Sequence, residues 1–178
     1  INRKLVLLRA RLEKLTYKQM LLLMIGLSVI TGLIVGGFIL LTDMFIDLQL
    51  EKYEEFNFDF FVSIQNTITI IATVSVLFPL IETFIFQHLI FHFLKVVIGD
   101  GIPVKYIIIS SLLFSLAHGL VWTTGTCLGI LTFIDKILGG IIYAVSYYIF
   151  YRKRKRPLLS TALIHGIHNL VFMILMLI

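Results

Sequence analysis

An all-α polytopic membrane bundle of about five spans, with a basic amphipathic helix in front, is the fold class this 178-residue sequence predicts, on three observations. Hydrophobic residues make up 59% of the chain and its mean hydropathy is +1.02, far above the soluble range, so the bilayer is the solvent of the fold. The apolar residues come in unbroken runs of helical length, not in the short alternating segments of a membrane barrel. The charges come in blocks: Arg3, Lys4, Arg9, Arg11, Lys14 and Lys18 ahead of the first run, Asp43, Asp47, Glu51, Glu54, Glu55 and Asp59 after it, and Arg152-Lys153-Arg154-Lys155-Arg156 before the last.

Residues 3–17 carry Leu5, Leu8, Leu12 and Leu15 on one helical face and cations elsewhere, which predicts a helix lying on the membrane surface. The basic head and the run behind it lack a signal-peptide cleavage pattern, so residues 19–42 read as a retained first span. Within it Gly32-x-x-x-Gly36 permits close helix contact, which in a bundle means packing. The next run, 61–95, would extend roughly 50 Å at 1.5 Å per residue, too long for one straight crossing and short for two. Parity decides. The positive-inside rule puts the N-terminal cluster and RKRKR on the cytoplasmic side, so an even number of crossings separates them, and 61–95 reads as one crossing bent at Pro79 and ending near Lys95. Gly99-Asp100-Gly101-Ile102-Pro103 closes it, and spans follow at 105–123, 128–151 and 158–178, with Trp122-Thr123-Thr124-Gly125-Thr126 between the third and fourth. Asp135 and Lys136 in the fourth span read as a locally satisfied pair near the outer interface, and Gly139-Gly140 as a close-contact site. The only cysteine, Cys127, excludes an intrachain disulfide and a Cys-based metal site and reads as a small packing residue. Basic runs beside membrane spans fix topology against anionic lipid, so the partner they imply is the lipid bilayer and not nucleic acid.

Against this background Glu82, His118, His165 and Asn169 stand out: each lies in an apolar run, and no Lys or Arg lies within a helical turn of the acid or either imidazole. Such groups cost several kcal/mol to insert and mark functional sites by default. Their depths agree. Glu82 is 13 residues from Lys95, His118 is 13 from Lys105 and Asn169 is 12 from Pro157, each about 18–20 Å from the cytoplasmic end; His165, 8 from Pro157, is about 12 Å in. Four polar groups on three helices thus converge near one level, lining a cavity open to the cytoplasm.

Glu82 and Phe86, Thr83 and Gln87, Phe114 and His118, and His165 and Asn169 are all i,i+4 pairs, each sharing a helical face. Apolar surroundings disfavour an ionised carboxylate and a neighbouring imidazole offsets that, so Glu82 with His118 can activate a water. His165 and Asn169 can donate to an oxyanion, or His165 can join Glu82 and His118 on a metal. The bland alternative is that each is a buried polar residue joining helices. His88 and His92, also i,i+4, point about 240° and 280° around the helix from Glu82 and read as facing the interface near Lys95.

Glu82-Thr83-x-x-Phe86-Gln87, Phe114-x-x-x-His118 and His165-x-x-x-Asn169, in this order, resemble the three motifs EExxxR, FxxxH and HxxxN of the CPBP family, the CAAX-protease and bacteriocin-processing (Abi) intramembrane endopeptidases. The likeness covers about 61–178, taken as the catalytic core of a single membrane-embedded domain. It departs where Thr83 replaces the second Glu and Gln87 the Arg, a paired change that leaves no unpaired charge in the membrane. The resemblance implies intramembrane peptide-bond hydrolysis of a membrane-associated or prenylated protein or peptide. Glu82 would be the base, His118 would hold the water, His165 and Asn169 would stabilise the oxyanion, and Thr83, Phe86, Gln87 and Phe114 would be supporting residues. No cofactor is required on this reading; were a divalent metal such as zinc used, Glu82, His118 and His165 would be its ligands. A bacterial cell membrane and a site facing the cytoplasm are expected. A catalytically silent member, acting in bacteriocin immunity or as a scaffold, is the alternative; a small transporter is a second, against which stands the lack of a convincing internal repeat.

Overall fold

The computed structural model describes residues 13–46, 67–99, 103–122 and 127–176. They form five helices and no strand: α1 (Tyr17–Ile46), α2 (67–98), α3 (Pro103–Trp122), α4 (Cys127–Arg152) and α5 (Pro157–Met176). Stretches of four of them, Tyr17–Thr42, Thr69–Ile98, Gly129–Arg152 and Pro157–Leu175, are long and apolar enough to cross a bilayer; the apolar stretch Pro103–His118 of α3 is shorter. The expected all-α membrane bundle is therefore present. Its outer surface agrees, since Phe45 is 85% and Val96 86% exposed, a surface suited to lipid and not to water. Most of the basic segment 3–17, most of the acidic loop and the side chain of Cys127 lie outside the described residues.

Local chemistry sets the helix ends. Thr16 caps α1 in a capping box: Gln19 N–H donates to Thr16 Oγ1 (3.3 Å) while Thr16 N–H donates to Gln19 Oε1 (2.9 Å). At the far end of α2 Gly99 takes φ 82° and ψ −159°, a conformation open only to glycine, and turns the chain toward α3. Pro103 and Pro157 open α3 and α5, where the missing N–H has no intrahelical partner to lose. The turn between α4 and α5 is tied to the start of the described chain by Lys153, whose Nζ donates to the carbonyls of Glu13 (3.0 Å) and Leu15 (2.9 Å). Residues 13–15 and the RKRKR turn thus meet at one end of the bundle, with four helices between them.

The residues 61–95, expected as one crossing, form a single helix over their described part, but α2 is not uniformly α-helical. Its ladder widens to π geometry over Thr73–Leu77 and again over Thr83–Leu89. Pro79 accounts for the first widening. Phe78 N–H bonds back five residues to Thr73 O, and Pro79, next in that ladder, has no N–H to offer Val74 O. The amide of Asn169 on α5 supplies the donor instead, Nδ2 to Val74 O at 3.0 Å. Beside it Gly166 lets α5 lie directly on α2, where a methyl group would collide with Ser75 O. In the second widening Ser110 of α3 donates to Phe86 O (2.7 Å).

α4 lies at the centre, in contact with α1, α3, α5 and residues 83–89 of α2. Gly140 brings it against α3; a Cβ there would stand 2.9 Å from Ser111 Cα. Met20, Met24, Phe114, Tyr143, Phe150 and Ile164 form one buried cluster, and Phe91, Leu94, Tyr106, Ala144 and Tyr147 another. The Gly32 face of α1 packs on α5, where His168 bonds Ser28 and a Cβ on Gly32 would stand 2.6 Å from His168 and Phe172. This is the intrachain packing expected of Gly32-x-x-x-Gly36.

Candidate active site

Glu82 ends the short α-helical stretch Phe78–Glu82 between the two π segments of α2. Its Oε1 lies 3.6 Å from His118 Nε2 on α3, and its Oε2 lies 3.5 Å from His165 Nε2 on α5. The carboxylate and the His118 ring are about one-fifth exposed, whereas His165 is buried. Three of the four sequence-predicted catalytic residues are therefore brought together, from three helices.

Each ring is held differently. His118 Nδ1 sits 2.7 Å from Phe114 O; a carbonyl only accepts, so Nδ1 carries the proton and Nε2 presents a lone pair toward Glu82 when the ring is neutral. Phe114, whose backbone sets this tautomer, also packs its ring 4.4 Å from that of His118 and edge-on to Phe86. Among the described residues no group hydrogen-bonds His165 Nδ1, which is buried. Leaving a lone pair there costs less than burying an unpaired N–H, which favours the tautomer with Nε2–H toward Glu82. Its plane is set by stacking on Tyr143, with centroids 4.3 Å apart and an interplanar angle of 24°.

Tyr143 is a residue that motif reading missed, because a lone tyrosine in an apolar span carries no spacing signal. Such an aromatic pair is worth about 0.5–1.5 kcal/mol. Tyr143→Leu is expected to lower turnover about tenfold by releasing the His165 plane, and Tyr143→Phe, which keeps the ring, to stay within about twofold of wild type; rate measurements on the two variants check this.

Asn169 is not brought to Glu82. Its Nδ2 is committed to Val74 O, eight residues earlier on α2 and thus about 12 Å along the helix. The equal depth expected of Glu82 and Asn169 gives way because the carbonyl opposite Pro79 needs a donor. Asn169→Leu is therefore expected to lower thermal stability by about 1–3 kcal/mol, the cost of leaving a buried carbonyl unpaired, whatever it does to activity.

Thr83 and Gln87 are fully buried, and neither the Thr83 hydroxyl nor the Gln87 amide has a hydrogen-bond partner among the described residues. The mutual bond that an i,i+4 pair would allow is not made. His88 and His92 stay away from Glu82; their rings lie 4.4 Å apart, and His88 Nδ1 bonds Tyr147 OH at 2.7 Å. Asp135 and Lys136 pair at 3.2 Å, as expected.

For a metal, the donor set does not close. Glu82 faces each imidazole with a different oxygen, and among the described residues no three His, Cys, Asp or Glu side chains are grouped to hold one ion. What these residues can do as placed is transfer protons and donate hydrogen bonds around a carboxylate that has limited access to solvent.

No curated protein and no solved structure matches the chain. Residues 64–171, more than half of it, match the type II CAAX prenyl endopeptidase Rce1-like family, and the matched stretch holds all four of Glu82, His118, His165 and Asn169. This is the kind of family that the three motifs resemble. With four helices suited to crossing a bilayer, the chain is an integral membrane protein and belongs to the Rce1-like family of CAAX-type intramembrane endopeptidases.

Proposed function

We propose that the chain hydrolyses a peptide bond of a membrane-associated protein or peptide, with Glu82 as general base. The observation that carries this reading is the carboxylate set between two imidazoles at 3.5 and 3.6 Å inside an apolar bundle. Both distances exceed an N–H···O bond of about 2.7–3.2 Å, and both suit a water shared between the groups. A water donating one hydrogen to Glu82 and the other to the His118 Nε2 lone pair turns its own lone pair toward a carbonyl carbon. As it attacks, Glu82 takes its proton, the new C–O bond forms and the carbonyl oxygen becomes an oxyanion. His165 Nε2–H donates to that oxyanion, and Asn169, bonded to Val74 O, holds α5 against α2. Collapse breaks the C–N bond, and the proton on Glu82 leaves with the amine. Phe114, backed edge-on by Phe86, fixes the His118 ring.

The basic residues of the sequence before α1 and between α4 and α5 support, through the positive-inside rule, a site reached from the cytoplasmic face of the membrane. The test is cleavage of membrane-tethered peptides by the purified chain in proteoliposomes, with matched prenylated and unprenylated C-termini and product masses measured. Cutting at a defined bond supports the reading, and a preference between the two series names the substrate class. A folded chain that cuts neither series sinks it in favour of a silent, binding member.

A further inference from the structure

At the RKRKR end of the bundle lies a cavity of about 520 Å³ that shares no residue with the Glu82 cluster. It is lined by His88, His92 and Tyr151 together with Arg152, Arg154 and Arg156, and no Asp or Glu contributes to its wall. The five-residue basic run divides by residue type: its three arginines line the cavity and its two lysines do not. Lys153 points away as the strut to Glu13 and Leu15. If the run served only to mark the cytoplasmic side, Arg and Lys would be equivalent.

The turn is shaped around this arrangement. Arg154 and Arg156 have φ of 54° and 40°, the left-handed region where Gly or Asn is the ordinary choice. Backbone bonds from Arg154 N–H to Tyr151 O (3.0 Å) and from Lys155 N–H to Phe150 O (2.9 Å) hold it closed. Beside Arg152 in the wall, Tyr151 OH accepts from Lys95 Nζ at 2.7 Å and keeps its own O–H to donate. Three guanidinium groups in one wall with hydroxyl and imidazole donors, and no carboxylate among the lining residues, match the oxygens of a phosphate group, which arginine binds in bidentate fashion. The volume exceeds what phosphate alone fills and leaves room for the group it esterifies. The wall also adjoins lipid-facing surface, since Phe93 beside His92 is 65% exposed.

We propose that this cavity binds a phosphate group, supplied either by the headgroup of an anionic phospholipid or by free phosphate. The full chain is purified in detergent, exposed to equal amounts of phosphatidylglycerol and phosphatidylcholine, and its retained lipid counted by native mass spectrometry. In parallel, inorganic phosphate is titrated against thermal unfolding. Three proteins are compared with wild type: R154Q/R156Q, R152Q on the last regular turn of α4, and K105Q/K155Q, which removes the same charge as the double arginine variant outside the cavity. Wild type is expected to prefer phosphatidylglycerol, with at least a tenfold loss in R154Q/R156Q, a clear loss in R152Q, and retention within twofold in K105Q/K155Q. Stabilisation by inorganic phosphate that the arginine variants abolish would show that the phosphate group suffices; lipid retention without it would assign the site to the headgroup held at the bilayer. The proposal is overturned if wild type shows neither response, or if K105Q/K155Q loses as much as R154Q/R156Q. Because every readout is binding, failure here is distinguishable from failure of the peptidase reading.

Discussion

Glu82→Gln is expected to lower cleavage of a membrane-tethered peptide by about 10²–10⁴-fold, the range for removing a general acid–base group, while leaving the bundle folded. The amide nearly matches the carboxylate in size, so Glu82 keeps its place between the two π segments of α2. It cannot take a proton from water at neutral pH, and its NH₂ would offer a donor where His118 and His165 meet an acceptor. Thermal unfolding of the variant in detergent should therefore lie close to wild type while its rate collapses. Repeating the assay with a chelator, on wild type, reads out any role for a metal separately. A variant that cuts as fast as wild type would remove Glu82 from the chemistry; one that unfolds would return it to the role of a polar residue joining helices.

Gly166→Ala is expected to be the most damaging small substitution in the chain. The added methyl meets the backbone carbonyl of Ser75, which cannot rotate aside as a side chain would. Overpacking of this kind costs about 1–3 kcal/mol and sometimes more. The helices must separate to relieve it, carrying His165 away from Glu82 and Asn169 away from Val74. A displacement of about 1 Å at the reacting groups is enough for roughly a 10²-fold loss of rate. Both effects should appear together: a lowered unfolding temperature and a fall in cleavage. Gly37→Ala, which meets no atom within 4 Å, is the control expected to do neither.

Much of this architecture can be read from the sequence because bilayer thickness and punctuation by Pro, Gly and charge fix where helices begin and end. The spans expected at 105–123 and 128–151 are the helices Pro103–Trp122 and Cys127–Arg152. The meeting of Glu82 and His118 is legible for the same reason, since each counts 13 residues from the cytoplasmic end; the same count set Asn169 level with them and His165 shallower, whereas His165 is the one that reaches Glu82. What is not legible is the pitch of α2. In an all-apolar stretch a π turn and an α turn carry the same hydrophobic pattern, and only Pro79 signalled a break, which was expected as a bend. A consequence of that pitch was hidden with it: Asn169 drawn to Val74. Gly166, next to His165, is a single glycine whose partner lies far away in sequence, and no local pattern reports a contact of that kind.

The Pro79 break has a consequence for the order in which the molecule assembles. Transmembrane helices insert one by one and associate afterwards. When α2 enters the bilayer, the carbonyl of Val74 has no donor on its own helix, and the donor it finally receives belongs to α5, made after α3 and α4. Until α5 docks, α2 carries an unsatisfied dipole into hydrocarbon, a penalty discharged only in the completed bundle. The same docking brings His165 to Glu82, so the proposed hydrolytic centre is assembled only once α5 has docked, and on that proposal the newborn chain is inert in the membrane before then.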